Sequence, residues 1–221
     1  MIVTIDGPAG AGKSTVARRL AQRLGFHFLD TGAMYRAIAW AALDAGVDLS
    51  DPTRLARLAR ETRIEIQDDL VFVDGKNVSS EIRSSEVTSV VWHAAGNADV
   101  RGLLAELQRD IAGQGDLVTE GRDQGTAVFP DADCKIFLTA SPEERAHRRH
   151  QDLHDRGESI SFDEVLASQN RRDASDEART VGPLARAVDA VKVVTDGMTQ
   201  DEVLDRLEEI VRARQARESA N

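Results

Sequence analysis

The stretch Gly7-Pro8-Ala9-Gly10-Ala11-Gly12-Lys13-Ser14 constrains this chain more tightly than any other. It fits the G-x-x-x-x-G-K-[ST] pattern in full and lies between two segments of different periodicity. Ahead of it, Ile2 to Asp6 is a short run of the kind that forms a buried strand. Behind it, Val16, Leu20 and Leu24 recur at i, i+4 and i+8, which predicts a helix opening near Lys13 and closing at Gly25. A glycine-rich turn from strand to helix lets successive backbone N–H groups curl around a phosphate, and the helix N-terminus adds favourable partial charge. Gly7, Pro8, Ala9, Gly10, Ala11, Gly12, Lys13, Ser14 and Thr15 are therefore expected to bind ATP. Lys13 would reach the β- and γ-phosphates, and the Ser14 hydroxyl would join the shell of the Mg2+ that comes with them. No guanine-specific N-K-x-D sequence occurs, which argues against a GTPase, and the short chain lacks the long core of a motor ATPase. What such a loop serves must be read from the acceptor side.

The rest of the chain alternates strand and helix. Phe26 to Asp30 could form a second strand, helical patterns cover roughly 32–46 and 52–62, and Leu117 to Thr119, Lys135 to Thr139 and Ala190 to Thr195 are short β-type runs. A last helix starts near Thr199 and repeats Val203, Leu207, Ile210 and Val211 on one face. Such alternation predicts an α/β fold with a parallel sheet flanked by helices. Two sections break the rhythm. From about 63 to 83, short runs around Ile64, Ile66 and Leu70 to Val73 are linked by turn signals at Asp68-Asp69 and Asp74-Gly75, which suggests a small antiparallel unit. From about 142 to 180 the chain is rich in Arg, Asp, Glu, Ser and His and reads either as a solvated helical arm or as a polar surface.

Composition narrows the function further. The formal net charge is −10, so a general nucleic-acid binder is disfavoured, and no apolar run approaches the eighteen or so residues of a membrane span. Cys134 is the one cysteine, which rules out an internal disulfide and a cysteine-based zinc site and fits a small buried hydrophobe. The N-terminus enters a strand at once, without a basic region or cleavage site, so a cytoplasmic location is expected.

Three polar clusters fall at strand ends or helix starts: Asp30 to Arg36, Glu120 to Thr126, and Arg171 to Arg179. Residues just past strand C-termini in a parallel sheet line the ligand crevice. On a helix, Arg172, Asp176 and Arg179 would share one face at i, i+4 and i+7, and for this cluster alone an exposed ion pair is the plainer reading. Arginines beside a phosphate loop point instead to transfer between two phosphates, since a planar guanidinium binds phosphate oxygens bidentately. His147, His150 and His154 could lie on one helical face, but with no fixed acidic partner they read as surface histidines rather than metal ligands.

Ile5-Asp6-Gly7-Pro8 to Thr15, Asp30 to Arg36, Glu81-Ile82-Arg83, Glu120 to Asp123, Gly125-Thr126 with Val128 to Asp131, Glu144-Arg145-Ala146, and Arg172-Asp173 with Asp176, Arg179 and Pro183-Leu184 form a recognisable series. Over essentially its whole length the chain resembles the bacterial cytidylate kinases (CMP/dCMP kinases), nucleoside monophosphate kinases of the P-loop class. The resemblance implies one P-loop kinase domain over 1–221 with a five-stranded parallel sheet. Within it, a nucleotide-binding insert at about 62–95 and a helical lid at about 142–180 are expected. It implies ATP, CMP and dCMP as partners, with no nucleic acid and no membrane, and a monomeric enzyme. By the same resemblance, Arg36, Arg122 and Arg179 would hold the CMP phosphate. Thr31, Tyr35, Arg172 and Asp176 would line the sugar and phosphate site, and Arg101 and Asp123 would read the cytosine edge. Lys13, Arg122, Arg145 and Arg149 would serve catalysis, the last two closing over the ATP phosphates.

The chain departs from the family at one place. A serine usually stands nine residues before the arginine matched by Arg101, and here that position is Trp92. Trp92 either stacks on the base, packs into the insert, or leaves the contact to Ser89 or His93. The alternatives to a CMP/dCMP kinase are a UMP/CMP kinase, another P-loop small-molecule kinase acting on a hydroxyl such as that of shikimate, and a non-catalytic nucleotide sensor.

Overall fold

The computed structural model describes residues 1–67, 70–155 and 157–218. They group into two compact units: Met1–Leu29 with Gly115–Asn221, and Asp30–Gln114.

The first unit is built on a five-stranded parallel sheet in the order β2-β6-β1-β7-β8. Its strands are β1 (Ile2–Asp6), β2 (His27–Asp30), β6 (Leu117–Gly121), β7 (Cys134–Thr139) and β8 (Val191–Val194). Strand β1 is central, with Asp6 opposite Gly121 on β6 and Phe137 on β7. Val3 and Ile5 are fully buried, as a central parallel strand covered on both faces requires. Helix α1 (Lys13–Leu24) lays Val16, Ala17 and Leu20 on the core, and α8 (Gln200–Glu218) adds Leu204, Leu207 and Val211. Thr199 precedes α8 and accepts from the Glu202 amide while Glu202 accepts from the Thr199 backbone, a reciprocal cap that fixes where the helix starts. The polar section folds into α6 (Pro142–Asp155) and α7 (Phe162–Glu177), joined over a small core of Ala146, Leu153 and Val165. A Ser161–Glu164 capping box opens α7. That helix ends at Glu177 with Ala178 as its cap, so Arg179 lies beyond it. The expectation that Arg172, Asp176 and Arg179 share a helical face thus holds for the first two only.

The second unit contains α2 (Thr31–Asp44), α3 (Pro52–Glu61), α4 (Ser85–Gly96) and α5 (Ala98–Ala112) beside a small antiparallel sheet. Each of these helices begins on a side-chain cap, from Asp30, Asp51, Ser84 and Asn97 in turn. The sheet runs β3 (Ile64–Gln67), β4 (Leu70–Val73) and β5 (Lys76–Asn77). The Asp74-Gly75 signal is a turn with both residues at positive φ, 51° and 80°. The other expected turn, Asp68-Asp69, lies outside the described residues.

Gly7 is where the core and the phosphate loop meet. Its φ is 152°, and a Cβ there would stand 1.9 Å from the Leu138 carbonyl oxygen on β7. Gly7→Ala is expected to cost about 3 kcal/mol or more, since the β7 backbone cannot give way. Gly197→Ala, also at positive φ but facing open space, is expected to cost only about 1–2 kcal/mol. Thermal unfolding of the two variants checks this, and equal losses would show that the loop tolerates a side chain at Gly7.

Candidate functional site

The phosphate loop leaves β1 at the middle of the sheet and enters α1, as the motif requires. Gly10 has φ 78°, and a Cβ there would meet Gln169 Oε1 at 3.0 Å and the Arg145 Cβ at 3.3 Å. Helices α6 and α7 therefore press on the loop, and only a glycine leaves room. Arg145 is buried there, donating to the carbonyls of Ala140 (3.1 Å) and Ala9 (2.8 Å) and to the Asp173 carboxylate (2.6 Å). Asp173 also accepts from the Ala9 amide at 3.4 Å. Arg145 thus braces the loop's outer turn. Arg149 is exposed on α6, so the two arginines expected to act together sit in different surroundings.

Lys13 is buried, and its Nζ donates to the Pro8 carbonyl at 2.9 Å. Burial lowers its pKa to about 7; Arg122 and Arg172 press in the same direction, while Glu120 and Asp6 oppose them. Two further cations thus act on Lys13, one from the end of β6 and one from α7, an arrangement that a polyanion relieves. Ser14 Oγ donates to Glu120 Oε1 at 2.7 Å, joining the helix start to the end of β6. Glu120 is itself buried.

Beyond β6 the chain makes one wide turn, Gln124–Val128, of the π type often found at functional sites. Arg122 and Asp123 precede it. Arg122 Nε donates to Asp176 at 2.8 Å, and Arg179 pairs with the other oxygen of the same carboxylate. Asp176 is buried, so the exposed ion pair that its cluster suggested is instead a sequestered one. Two guanidiniums on one carboxylate leave a net positive charge, suited to an anion. Asp123 is buried, whereas Arg172 is exposed on α7. Of the histidines of α6, His147 and His154 are exposed, as the surface reading expected; His147 stacks on Phe162 with ring centroids 4.4 Å apart, and His150 meets the same ring edge-on.

The remaining expected residues belong to the second unit. Thr31 is buried at the start of α2. Arg36 donates to Thr88 Oγ1 (2.7 Å) and the Ile82 carbonyl (3.3 Å). Arg101 is buried on α5, donates to the Ala95 carbonyl (3.1 Å), and lies over the Tyr35 ring at 5.3 Å. Trp92 is 58% exposed and stacks on His93 with centroids 3.5 Å apart, so it is not packed into the small sheet. The Ser89 hydroxyl donates to the Glu86 carbonyl of its own helix.

Four residues that sequence reasoning did not give a role stand close to the loop: Asp6, Glu120, Gln169 and Asp173. The signal for Asp6 and Glu120 was their place at strand ends beside the motif, and for Asp173 its place in the third polar cluster; for Gln169 there was none. Burial pushes the Asp6 carboxyl up to about 6, Asp123 adds to this, and the Gly125 and Gln124 amides and Lys13 oppose it. Between its ordinary value of 3.8 and this one, the folded chain holds a proton that the unfolded chain has released. Asp6 therefore contributes stability below about pH 4 that is lost as pH rises through 6, an effect of roughly 3 kcal/mol. In denaturant unfolding between about pH 4 and pH 7, the stability of the natural chain relative to Asp6→Asn is expected to grow toward acid. A difference that does not vary with pH would mean that Asp6 titrates like an exposed carboxyl.

Known proteins similar to this chain point to one family. The cytidylate kinase family model matches residues 3–213. A relative named cytidylate kinase from Rhodopirellula baltica is 52% identical over 212 residues, covering 96% of this chain and 93% of that protein. A bifunctional pantoate ligase/cytidylate kinase from Prochlorococcus marinus is 47% identical over 219 residues, and there the match spans 96% of this chain but 42% of the longer relative. A crystal structure from Thermus thermophilus shares the fold, with a TM-score of 0.50, 22% identity and 96% of each chain covered. With its phosphate loop, its paired arginines and a match over nearly its whole length, the chain belongs to the cytidylate kinase family.

Proposed function

We propose that the chain transfers the γ-phosphoryl group of ATP to CMP and dCMP, giving ADP and CDP or dCDP. The observation that carries this reading is the strand-end cluster: Lys13 beside Arg122, and Arg122 sharing Asp176 with Arg179, in a chain of the cytidylate kinase family. An oxygen of the acceptor phosphate attacks the γ-phosphorus in line. The bond from that phosphorus to the β–γ bridging oxygen breaks, and ADP leaves with the electron pair. The acceptor is already ionised, so no strong general base is required; alignment and charge neutralisation carry the reaction.

Lys13 follows the transferring charge from ground state to products. Arg122 and Arg179 hold the acceptor phosphate, together with Arg36, while Thr31, Tyr35, Arg172 and Asp176 line the sugar and phosphate, and Arg101 and Asp123 read the base. Arg145 and Arg149 act at the ATP phosphates, Arg145 from its seat on Ala9. Ser14 and Glu120, whose oxygens are 2.7 Å apart, would hold the Mg2+ that comes with ATP, and the ion would neutralise phosphate charge. The section at about 62–95 serves as the nucleotide-binding insert and that at about 142–180 as the lid. The enzyme acts as a cytoplasmic monomer on small nucleotides.

Trp92 favours a second acceptor. It brings no hydroxyl to the place where the family usually has a serine, and its ring is exposed. A flat aromatic face accepts either pyrimidine, so UMP is expected to be phosphorylated with kcat/KM within about tenfold of CMP, and Trp92→Ser to widen that gap.

A coupled ADP-release assay with Mg-ATP and, separately, CMP, dCMP, UMP, AMP and GMP tests both statements. Release that depends on CMP or dCMP supports the function. Release with none of the five, from protein that binds ATP, would reject it in favour of another acceptor or a sensor role. Lys13→Ala is expected to lower kcat by about 100-fold or more with little change in CMP affinity, and Arg122→Ala to weaken both. Unchanged turnover in the Lys13 variant would remove that residue from the mechanism.

A further inference from the structure

We infer that Asp6 is a positioning residue for phosphoryl transfer, whose carboxylate clasps the backbone behind Arg122 and Asp123 and ties it to the root of the phosphate loop. The inference rests on reading Arg122 as a ligand of the acceptor phosphate.

Asp6 is the last residue of β1, one residue before Gly7, and only 4% exposed. Its two carboxylate oxygens have separate partners: Oδ1 accepts from the Gln124 amide at 2.8 Å, and Oδ2 from the Gly125 amide at 2.7 Å, both buried. These amides begin the wide turn, and one of the two residues between it and β6 is Arg122. Hydrogen bonds from two successive amides to the two oxygens of one carboxylate fix position and direction together, as a single bond does not.

The neighbouring contacts reinforce the clasp. A Cβ on Gly125 would stand 2.9 Å from Thr4 Oγ1 and 3.3 Å from the Lys135 side chain, so the turn sits directly on β1 and β7. Gln124 Oε1 accepts from Thr119 Oγ1 at 3.0 Å, holding the same segment to β6. On the other side of Asp6, Gly7 is wedged against the Leu138 carbonyl. One carboxylate therefore joins the ATP loop, by the chain itself, to the segment bearing Arg122, by two amide bonds. A purely structural anchor at this point could be neutral, as an asparagine or a backbone carbonyl is. A buried carboxylate facing Asp123 and Lys13 is a costlier choice, and what it adds is a pair of identical acceptors that no neutral side chain of the same size supplies.

Asp6→Asn keeps the shape but turns one acceptor into a donor, which then faces a backbone N–H. The expected result is a CMP KM raised about tenfold and a kcat lowered by a similar factor, with the ATP KM within about threefold of the natural chain. Asp6→Glu keeps both oxygens on a longer stem. It is expected to show the same selective pattern at smaller size, and it decides the question if the asparagine variant does not fold. Amide hydrogen exchange gives a reading without turnover: Gln124 and Gly125 are expected to exchange slowly in the natural chain and at least tenfold faster in a variant, while Ile5 and Val118 stay protected. Fast exchange of both amides in the natural chain would overturn the clasp. Unchanged CMP parameters, or ATP and CMP parameters that decline together with stability, would overturn the positioning role. If the natural chain releases ADP with no monophosphate, the proposed function fails and the positioning role fails with it, even where slow exchange shows the clasp.

Discussion

A lysine ammonium held out of water among other cations is costly, and much of the first unit is organised around tolerating one. Lys13 is buried at the N-terminus of α1, where helix dipole, Arg122 and Arg172 all disfavour its charge, and its pKa is lowered to about 7. The sheet order is what makes this bearable. Because β1 runs between β6 and β7, Glu120 and Asp6 arrive at the same edge as the loop and oppose the loss of charge. An incoming triphosphate supplies what these two carboxylates supply only in part. Charge placed in advance at a site is how electrostatic stabilisation acts at low cost of rearrangement.

The carboxylates around this centre act by geometry more than by stability. Asp173 holds Arg145 and the Ala9 amide, Asp176 holds Arg122 and Arg179, and Asp6 holds two amides of the turn. Buried ion pairs of this kind contribute little net stability once desolvation is counted, yet removing one partner strands the other. Each therefore fixes an arginine or a loop at one setting. Where phosphoryl transfer asks mainly for position and charge, that is the useful property.

Much of this was legible in the sequence because it is local. The loop, the helix behind it, the Thr199 start of α8 and the Asp74-Gly75 turn each declare themselves within a few residues, through side-chain periodicity or a demanded φ. What stayed hidden is what depends on distant partners. Ser14 and Glu120 are 106 residues apart, and Asp6 lies 118 residues from Gln124. Only the placement of β6 beside β1 brings them together. The end of α7 was misjudged for a related reason: Arg179 continues the helical spacing on paper, but the chain leaves the helix at Ala178, and Leu184 returns to hydrogen-bond the Asp176 carbonyl. Arg145 was readable as a cation for ATP but not as a brace under the loop, since Asp173 comes from another helix.

The two halves of the specificity problem differ in how firmly the chain determines them. Under the proposed function, recognition of phosphate rests on several charges at once, Lys13, Arg122 and Arg179 among them, so losing one contact leaves the reaction class intact. Under the same reading, recognition of the base rests on fewer contacts, those of Arg101 and Asp123 and of the position that Trp92 fills. A lost hydroxyl there is worth about 1–3 kcal/mol, roughly tenfold to a hundredfold in preference. At that scale, and under the proposed function, a single exposed tryptophan on α4 is enough to shift this chain's choice of pyrimidine. Membership of the family therefore binds the chemistry more closely than it binds the base.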